Sequence, residues 1–284
     1  MLKEKAHGKI NLHLQVEGKR DDGYHTLLTL FALISLHDTV FIEAHRDPSV
    51  ELCIRGDYPL PQGSKNIAYK AARWYLARYG IKNWGVKITI EKRIPPGSGL
   101  GGGSSDAGAV IRALVRFFGE SDPDLVRDSV EIGADVPFFV SGAHLALASG
   151  VGEQIEPLSA RIAPPGLLVA VPPFSLSTKE VYEAFDALQK EAHSLHPPLE
   201  KSAIADAASS GDASSFRELF YNHLELPVFK KHPELEAAKK RFYEAGAIFA
   251  QMTGSGSALF ALCSGSFEPA LSGFTLYPCE LISP

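Results

Sequence analysis

The sequence predicts an α+β fold built in two halves, and three observations predict it. Runs with a period of two and runs with a helical period both recur along the whole chain. A glycine-rich stretch at residues 95–108, PPGSGLGGGSSDAG, joins a strand-like run directly to a helix-like run. A second punctuation, Ala163-Pro164-Pro165-Gly166, marks the domain boundary and divides the chain into residues 1–160 and 161–284, with two layers in each half. With 284 residues, 45% of them hydrophobic, the chain is long enough for one large or two medium domains with a sizeable core.

In the first half, Ile10, Leu12, Leu14 and Val16 alternate with Asn11, His13 and Gln15, which predicts a strand ended by Gly18. The charged turn Lys19-Arg20-Asp21-Asp22-Gly23 leads into a second apolar stretch at 27–36. Val40, Ile42, Val50, Leu52 and Ile54 suggest further strands. Residues 66–79 read as a helix with Ala68, Ala71, Ala72, Tyr75 and Leu76 on one side. Val86, Ile88 and Ile90 alternate with Lys87, Thr89 and Glu91, a strand entering the glycine stretch. Beyond it, Ala107, Val110, Ile111, Leu114, Val115 and Phe118 recur at helical spacing, with Arg112 and Arg116 opposite and Ser104 or Ser105 as the expected N-cap. Residues 125–132 read as a short helix stopped by Gly133. In the second half, residues 167–171 read as a strand, 178–189, 215–224 and 233–245 as helices, and 247–252 and 258–263 as strands around Thr253-Gly254-Ser255-Gly256-Ser257.

Charge and cysteine content narrow the class. The formal net charge is −5, from 28 basic and 33 acidic residues with no polybasic block, so no nucleic-acid partner is expected. Three widely spaced cysteines, Cys53, Cys263 and Cys279, suggest reduced thiols in a cytoplasmic protein without metal-ligand spacing. The N-terminus lacks the apolar run of a signal peptide, and no stretch approaches the ~18 apolar residues of a membrane span.

Six glycines (Gly97, Gly99, Gly101, Gly102, Gly103 and Gly108) fall within twelve residues. Glycine lets the backbone approach a ligand closely, and the free amides at a helix start bind phosphate. The first hypothesis is a site for a nucleotide's phosphates. A Walker-type loop fails, because Gly103 stands at its lysine position. A dinucleotide fingerprint does match through Gly97, Gly99 and Gly102, with Glu120 and Asp122 as acidic ribose partners, so an oxidoreductase is an alternative. A flexible linker is the bland alternative. Pro95, Gly99, Leu100, Gly101, Ser104 and Ser105 also match the P-x-x-x-G-L-G-x-x-S-S loop of GHMP-superfamily small-molecule kinases. A serine here either caps the helix or helps hold the Mg²⁺ that phosphoryl transfer usually needs.

Four separated blocks make the resemblance specific. They are Gly8-Lys9-Ile10-Asn11-Leu12 with Asp22-Gly23-Tyr24-His25, then residues 95–108, then Gly133-Ala134-Asp135-Val136-Pro137-Phe138-Phe139, then Met252-Thr253-Gly254-Ser255-Gly256-Ser257. In this order they resemble the 4-diphosphocytidyl-2-C-methyl-D-erythritol kinases of the GHMP superfamily. The resemblance implies a two-domain fold: an N-terminal ATP-binding domain like ribosomal protein S5 domain 2, and a C-terminal α+β substrate domain. It implies transfer of phosphate from ATP to the 2-hydroxyl of the cytidyl-linked methylerythritol, a small-molecule substrate of the non-mevalonate isoprenoid pathway. Another superfamily kinase, acting on mevalonate, a sugar or homoserine, remains the nearest alternative.

The same resemblance implies the roles. Asp135 is the implied catalytic base, though an N-cap with Pro137 in the first turn explains it equally locally. Lys9 is the implied catalytic lysine; read alone, it is a solvated charge. Asn11, Tyr24 and His25 are implied substrate contacts, with Tyr24 stacking on cytosine; hairpin-turn packing competes for Tyr24 and His25. Tyr182 is either the second face of that aromatic clamp or a core residue. Asn66 and Lys92 line the implied adenine pocket, with a solvated edge charge as the other reading of Lys92. Pro95, Pro96, Gly97, Ser98, Gly99, Leu100, Gly101, Gly102, Gly103, Ser104 and Ser105 form the implied nucleotide loop. The turn at Gly254, Ser255 and Gly256 braces the site in the family and alone reads as a hairpin turn. Gly108 stands where the superfamily usually has alanine, which is expected to weaken the helix start slightly. No Mg²⁺ carboxylate beyond Asp135 is evident in the sequence.

Overall fold

A computed structural model describes residues 1–284 except 57, 59, 163–165, 192–195, 266 and 284. Most of the Pro/Gly boundary segment therefore lies outside the described residues. On its N-terminal side stands a mixed six-stranded sheet of β1 (Leu2–Lys19), β2 (His25–His45), β3 (Val50–Arg55), β4 (Gly85–Glu91), β5 (Leu145–Gly150) and β6 (Gln154–Pro157). Its path runs β3-β4-β2-β5-β6, with β1 paired to β2. Only β3 and β4 run parallel, so the glycine stretch does not sit in the parallel βαβ unit that a dinucleotide fold requires. On the C-terminal side, β7 (Gly166–Val171), β8 (Phe249–Met252), β9 (Leu259–Cys263) and β10 (Thr275–Cys279) form an antiparallel sheet in the order β10-β7-β9-β8.

Helices cover these sheets. They are α1 (Ile67–Arg78), α2 (Gly102–Phe118), α3 (Leu125–Asp128) and α4 (Val136–Ser141), followed by α5 (Thr178–Glu191), α6 (Lys201–Ser210), α7 (Phe216–Leu219), α8 (Glu225–Lys231) and α9 (Pro233–Glu244). The expected α1 face of Ala68, Ala71, Ala72, Tyr75 and Leu76 is buried with Val86, Ile88 and Ile90 of β4 and Val110, Ile111 and Leu114 of α2. Among the described residues, no helix is long and apolar enough to cross a membrane, and the three cysteines are free.

Several local expectations are corrected. Val40 and Ile42 belong to the same long β2 as residues 27–36. The strand expected at 10–16 is part of the longer β1, and the segment at 221–223 pairs onto its edge: Leu14 N donates to Tyr221 O and His223 N to Leu14 O. That pairing also shortens the helix expected at 215–224 to α7, since the chain turns extended at Phe220 (φ −92°, ψ 141°). Gly108 does more than weaken a helix: a Cβ there would stand 2.5 Å from Phe139 Cβ, so its absence lets α2 and α4 pack closely.

Candidate active site

A cavity of about 950 Å³ is walled by both halves of the chain. The glycine loop forms one end. Gly101 caps α2 in the left-handed region (φ 70°), and a Cβ there would press on Lys9 Cγ at 3.1 Å and Phe139 Cζ at 3.0 Å. Gly99, also left-handed at φ 81°, passes so close to the Gly254 turn that a Cβ would meet Gly256 O at 3.0 Å. Ser105 N donates to Gly101 O, which opens the helical ladder and leaves the amides of Gly102, Gly103 and Ser104 without an intrahelical acceptor. These three residues line the cavity. Neither serine is the N-cap: Ser105 Oγ donates to His7 O at 2.6 Å, while Ser104 lies in the first turn.

Of the residues the sequence nominated, all but Leu100 and Ser105 line this cavity. Leu100 is buried behind it, and its carbonyl accepts from Lys9 N at 2.9 Å, pinning β1 to the loop. Lys9 is no solvated charge. It is buried, with Nζ donating to Asn11 Oδ1 at 2.7 Å and 3.4 Å from Asp135 Oδ2. Asn11 Nδ2 donates to Thr29 Oγ1 at 2.8 Å, and Thr253 Oγ1 donates to Asn11 Oδ1 at 3.2 Å. Asp135 precedes α4 without making a capping hydrogen bond, so its carboxylate is left to Lys9 and the cavity. The Gly254 turn braces this corner, since a Cβ on Gly254 would stand 3.4 Å from Lys9 Nζ. It also connects the β8–β9 hairpin, so the hairpin reading of that turn holds.

At the far end, Tyr24 is 64% exposed and His25 stacks on Tyr182 with ring centroids 4.7 Å apart. Tyr182 thus has a ring partner already. Burial, with Asp135 adding to it, pushes its hydroxyl pKa up. His25 Nε2 lies 2.6 Å from Asp186 Oδ1, and Lys19 Nζ donates to Asp186 Oδ2 at 2.5 Å. Burial raises the Asp186 pKa, but the hydrogen bonds from Lys19 and His25 outweigh it and hold the carboxyl below the ordinary range. Sequence reasoning missed Asp186, because its partners lie more than 160 positions away.

Asn66 caps α1 by accepting from Ala68 N at 2.8 Å, at the glycine-loop end of the cavity. Lys92 is buried and committed to Asp38 and Asp106, so the edge-charge reading fails. Burial pulls the Lys92 pKa down, yet Asp106 and Asp38 outweigh it. One ammonium serves two carboxylates. Asp38 also accepts two backbone amides, which leaves Asp106 the poorer of the pair, and burial drives its carboxyl up. Asp38 and Asp106 were also missed, although an acid following Ser104-Ser105 at a helix start was a visible signal.

A helix start stripped of side chains beside a lysine–carboxylate pair has the chemistry that phosphoryl transfer needs. The comparisons say which family. The GHMP kinase N-terminal domain matches residues 66–143, and the GHMP kinase C-terminal domain matches 203–271. A 4-diphosphocytidyl-2-C-methyl-D-erythritol kinase of Macrococcus caseolyticus is 37% identical, with 93% of this chain and 91% of the relative covered. A crystal structure of 4-(cytidine 5'-diphospho)-2C-methyl-D-erythritol kinase superposes with a TM-score of 0.74 at 39% identity, covering 93% of this chain and 91% of that one. The Methanococcus jannaschii mevalonate kinase, at 16% identity and a TM-score of 0.68 over 99% and 98% of the two chains, shares the fold. The chain belongs to the GHMP kinase family, within the branch of the 4-diphosphocytidyl-2-C-methyl-D-erythritol kinases. It is an ATP-dependent small-molecule kinase with the two-domain GHMP fold.

Proposed function

We propose that the protein phosphorylates the 2-hydroxyl of 4-diphosphocytidyl-2-C-methyl-D-erythritol, giving ADP and the 2-phosphate in the non-mevalonate route to isoprenoids. One observation carries the reading: the open amides of α2 and the Lys9–Asp135 pair face a single cavity. The loop from Pro95 to Ser105 takes the ATP phosphates, with Asn66 and the aliphatic stem of Lys92 beside the adenine. Asp135 accepts the proton of the attacking hydroxyl, while the Lys9 ammonium pairs with that carboxylate and faces the charge developing on the transferred group. Asn11 has one amide hydrogen free of Thr29 to orient a substrate hydroxyl. Tyr24 covers the cytosine at the open mouth, with His25 and Tyr182 behind it. Positioning and electrostatics do most of the catalysis.

Mg²⁺ suits this site as an ion held mainly by phosphate and water. Among the described residues, no cluster of three or more His, Cys, Asp or Glu forms a metal cage. A Cβ on Gly133 would stand 3.9 Å from Ser104 Oγ, so that hydroxyl sits by the turn carrying Asp135 and is the group that would hold the ion. Bound there, Mg²⁺ supplies neutralising charge for the phosphate oxygens. We also place the boundary between the ATP-binding and substrate domains at 160/161, between the two sheets, and the enzyme in the cytoplasm with a small molecule as partner. Coupled ADP release across an acceptor panel tests the function. Turnover is expected with the cytidyl substrate and not with mevalonate, homoserine or a hexose; preference for any of these overturns the assignment.

A further inference from the structure

The strand before the glycine loop and the helix after it are joined by three buried charged side chains. Lys92 follows β4, Asp38 lies in β2, and Asp106 lies in the second turn of α2. Lys92 Nζ donates to Asp38 Oδ2 at 2.5 Å and to Asp106 Oδ2 at 2.7 Å, and none of the three side chains is more than 5% exposed. Asp38 Oδ1 accepts the backbone amides of Arg93 at 2.5 Å and Ile94 at 2.8 Å. Asp38 therefore fixes the backbone where the loop begins, and Lys92 ties that beginning to the helix where the loop ends. Gly102 rests against the cluster: a Cβ there would stand 3.1 Å from Lys92 Nζ and 2.9 Å from Ile94 Cγ2.

A cluster of one cation and two carboxylates is not a phosphate-neutralising group, because its formal charge is −1. Nor is it an efficient source of stability, since desolvating ions costs several kcal/mol each. Its geometry has another use. It closes residues 92–106 into a ring that includes the open amides of α2, next to the tie itself. We propose that Asp38 and Asp106, acting through Lys92 and the loop backbone, are positioning residues of the nucleotide site. They hold the loop's entry and exit at the separation that brings the amides of Gly102, Gly103 and Ser104 to one phosphate. This rests on the reading of the loop as the phosphate site.

The test pairs calorimetric titration of an unreactive ATP analogue with steady-state kinetics on Asp106→Ala, Asp106→Asn and Asp106→Leu. Asp106→Ala removes the tie and is expected to weaken nucleotide binding and raise the KM for ATP by about tenfold or more, leaving the acceptor KM within about twofold. Asp106→Asn keeps an oxygen that accepts from Lys92 and is expected to recover nucleotide affinity to within about threefold of wild type. Asp106→Leu fills the same space without the bond; it carries the test if the alanine variant does not fold, and it should behave as that variant. A wild type that binds no analogue would defeat the phosphate-site reading itself. A wild type that binds, beside a folded alanine or leucine variant with equal affinity or with both KM values raised alike, would overturn the positioning role alone.

Discussion

One strand carries two polar pairs of equal burial and opposite use. In β1, Lys9, Asn11, His13 and Gln15 are all at most 3% exposed. Lys9 and Asn11 end on the cavity, where they meet Asp135 and Thr29. His13 and Gln15 are sealed under the second half: Tyr221 N donates to His13 Nδ1 at 3.4 Å, and Gln15 Oε1 accepts from Tyr221 Oη at 2.6 Å and Leu199 N at 2.8 Å. Low exposure therefore does not separate chemistry from packing; the partner does. The first pair keeps an ion pair at the edge of open space. The second is an uncharged interface, in which burial, aided by His223, pushes His13 down to about 3, and burial, aided by His196, pushes His223 down to about 4.

Four substitutions or conditions probe that contrast. Asp135→Asn should produce the largest effect, lowering kcat at least ~10²-fold with nucleotide binding and melting temperature nearly unchanged. Near-normal turnover in single-turnover assays would remove the base assignment. Next comes acid. The folded pKa values of His13 and His223 lie below the ordinary 6.5, so between about pH 6.5 and 4 the unfolded chain binds more protons and stability falls with pH. Asp106, raised in the fold, acts in the opposite direction. Comparing wild type with His13→Gln isolates one histidine: the difference in unfolding free energy should move in the variant's favour by about 1.4 kcal/mol per pH unit through that window. Parallel curves in denaturant titrations at several pH values would mean His13 is not buried neutral.

Gly108→Ala comes third. Helix propensity alone predicts a small gain, whereas the 2.5 Å approach to Phe139 predicts a loss of about 1–3 kcal/mol from overpacking. The sign of the change in chemical denaturation decides between the two. Tyr24→Ala should be mildest, raising the KM for the cytidyl substrate by about tenfold with no change in melting, because the ring is largely exposed and packs against little. An unchanged KM would release Tyr24 from the site.

What was legible in the sequence was local. The strand, glycine loop and α2 follow from periodicity and from glycine's backbone freedom within some thirty residues. The expected face of α1 is buried for the same reason. Order alone did not reveal contacts made by distant chain. The segment at 221–223 pairs onto the edge of β1 and ends α7 early. Asp38 and Asp106 meet Lys92 from two other elements, and Asp186 reaches His25 across the two halves. The propensity reading of Gly108 left out tertiary packing, because propensity measures an isolated helix, whereas the fold uses the missing Cβ as space for Phe139.

The proposed reaction requires the helix-start amides to grip the phosphate end of ATP within reach of Asp135. A crystal of the protein with an unreactive triphosphate analogue and the cytidyl substrate tests it most directly. The terminal phosphate is expected on the amides of Gly102, Gly103 and Ser104, with the acceptor hydroxyl between it and the Asp135 carboxylate. A triphosphate seated away from those amides, or an acceptor hydroxyl turned from Asp135, would contradict it.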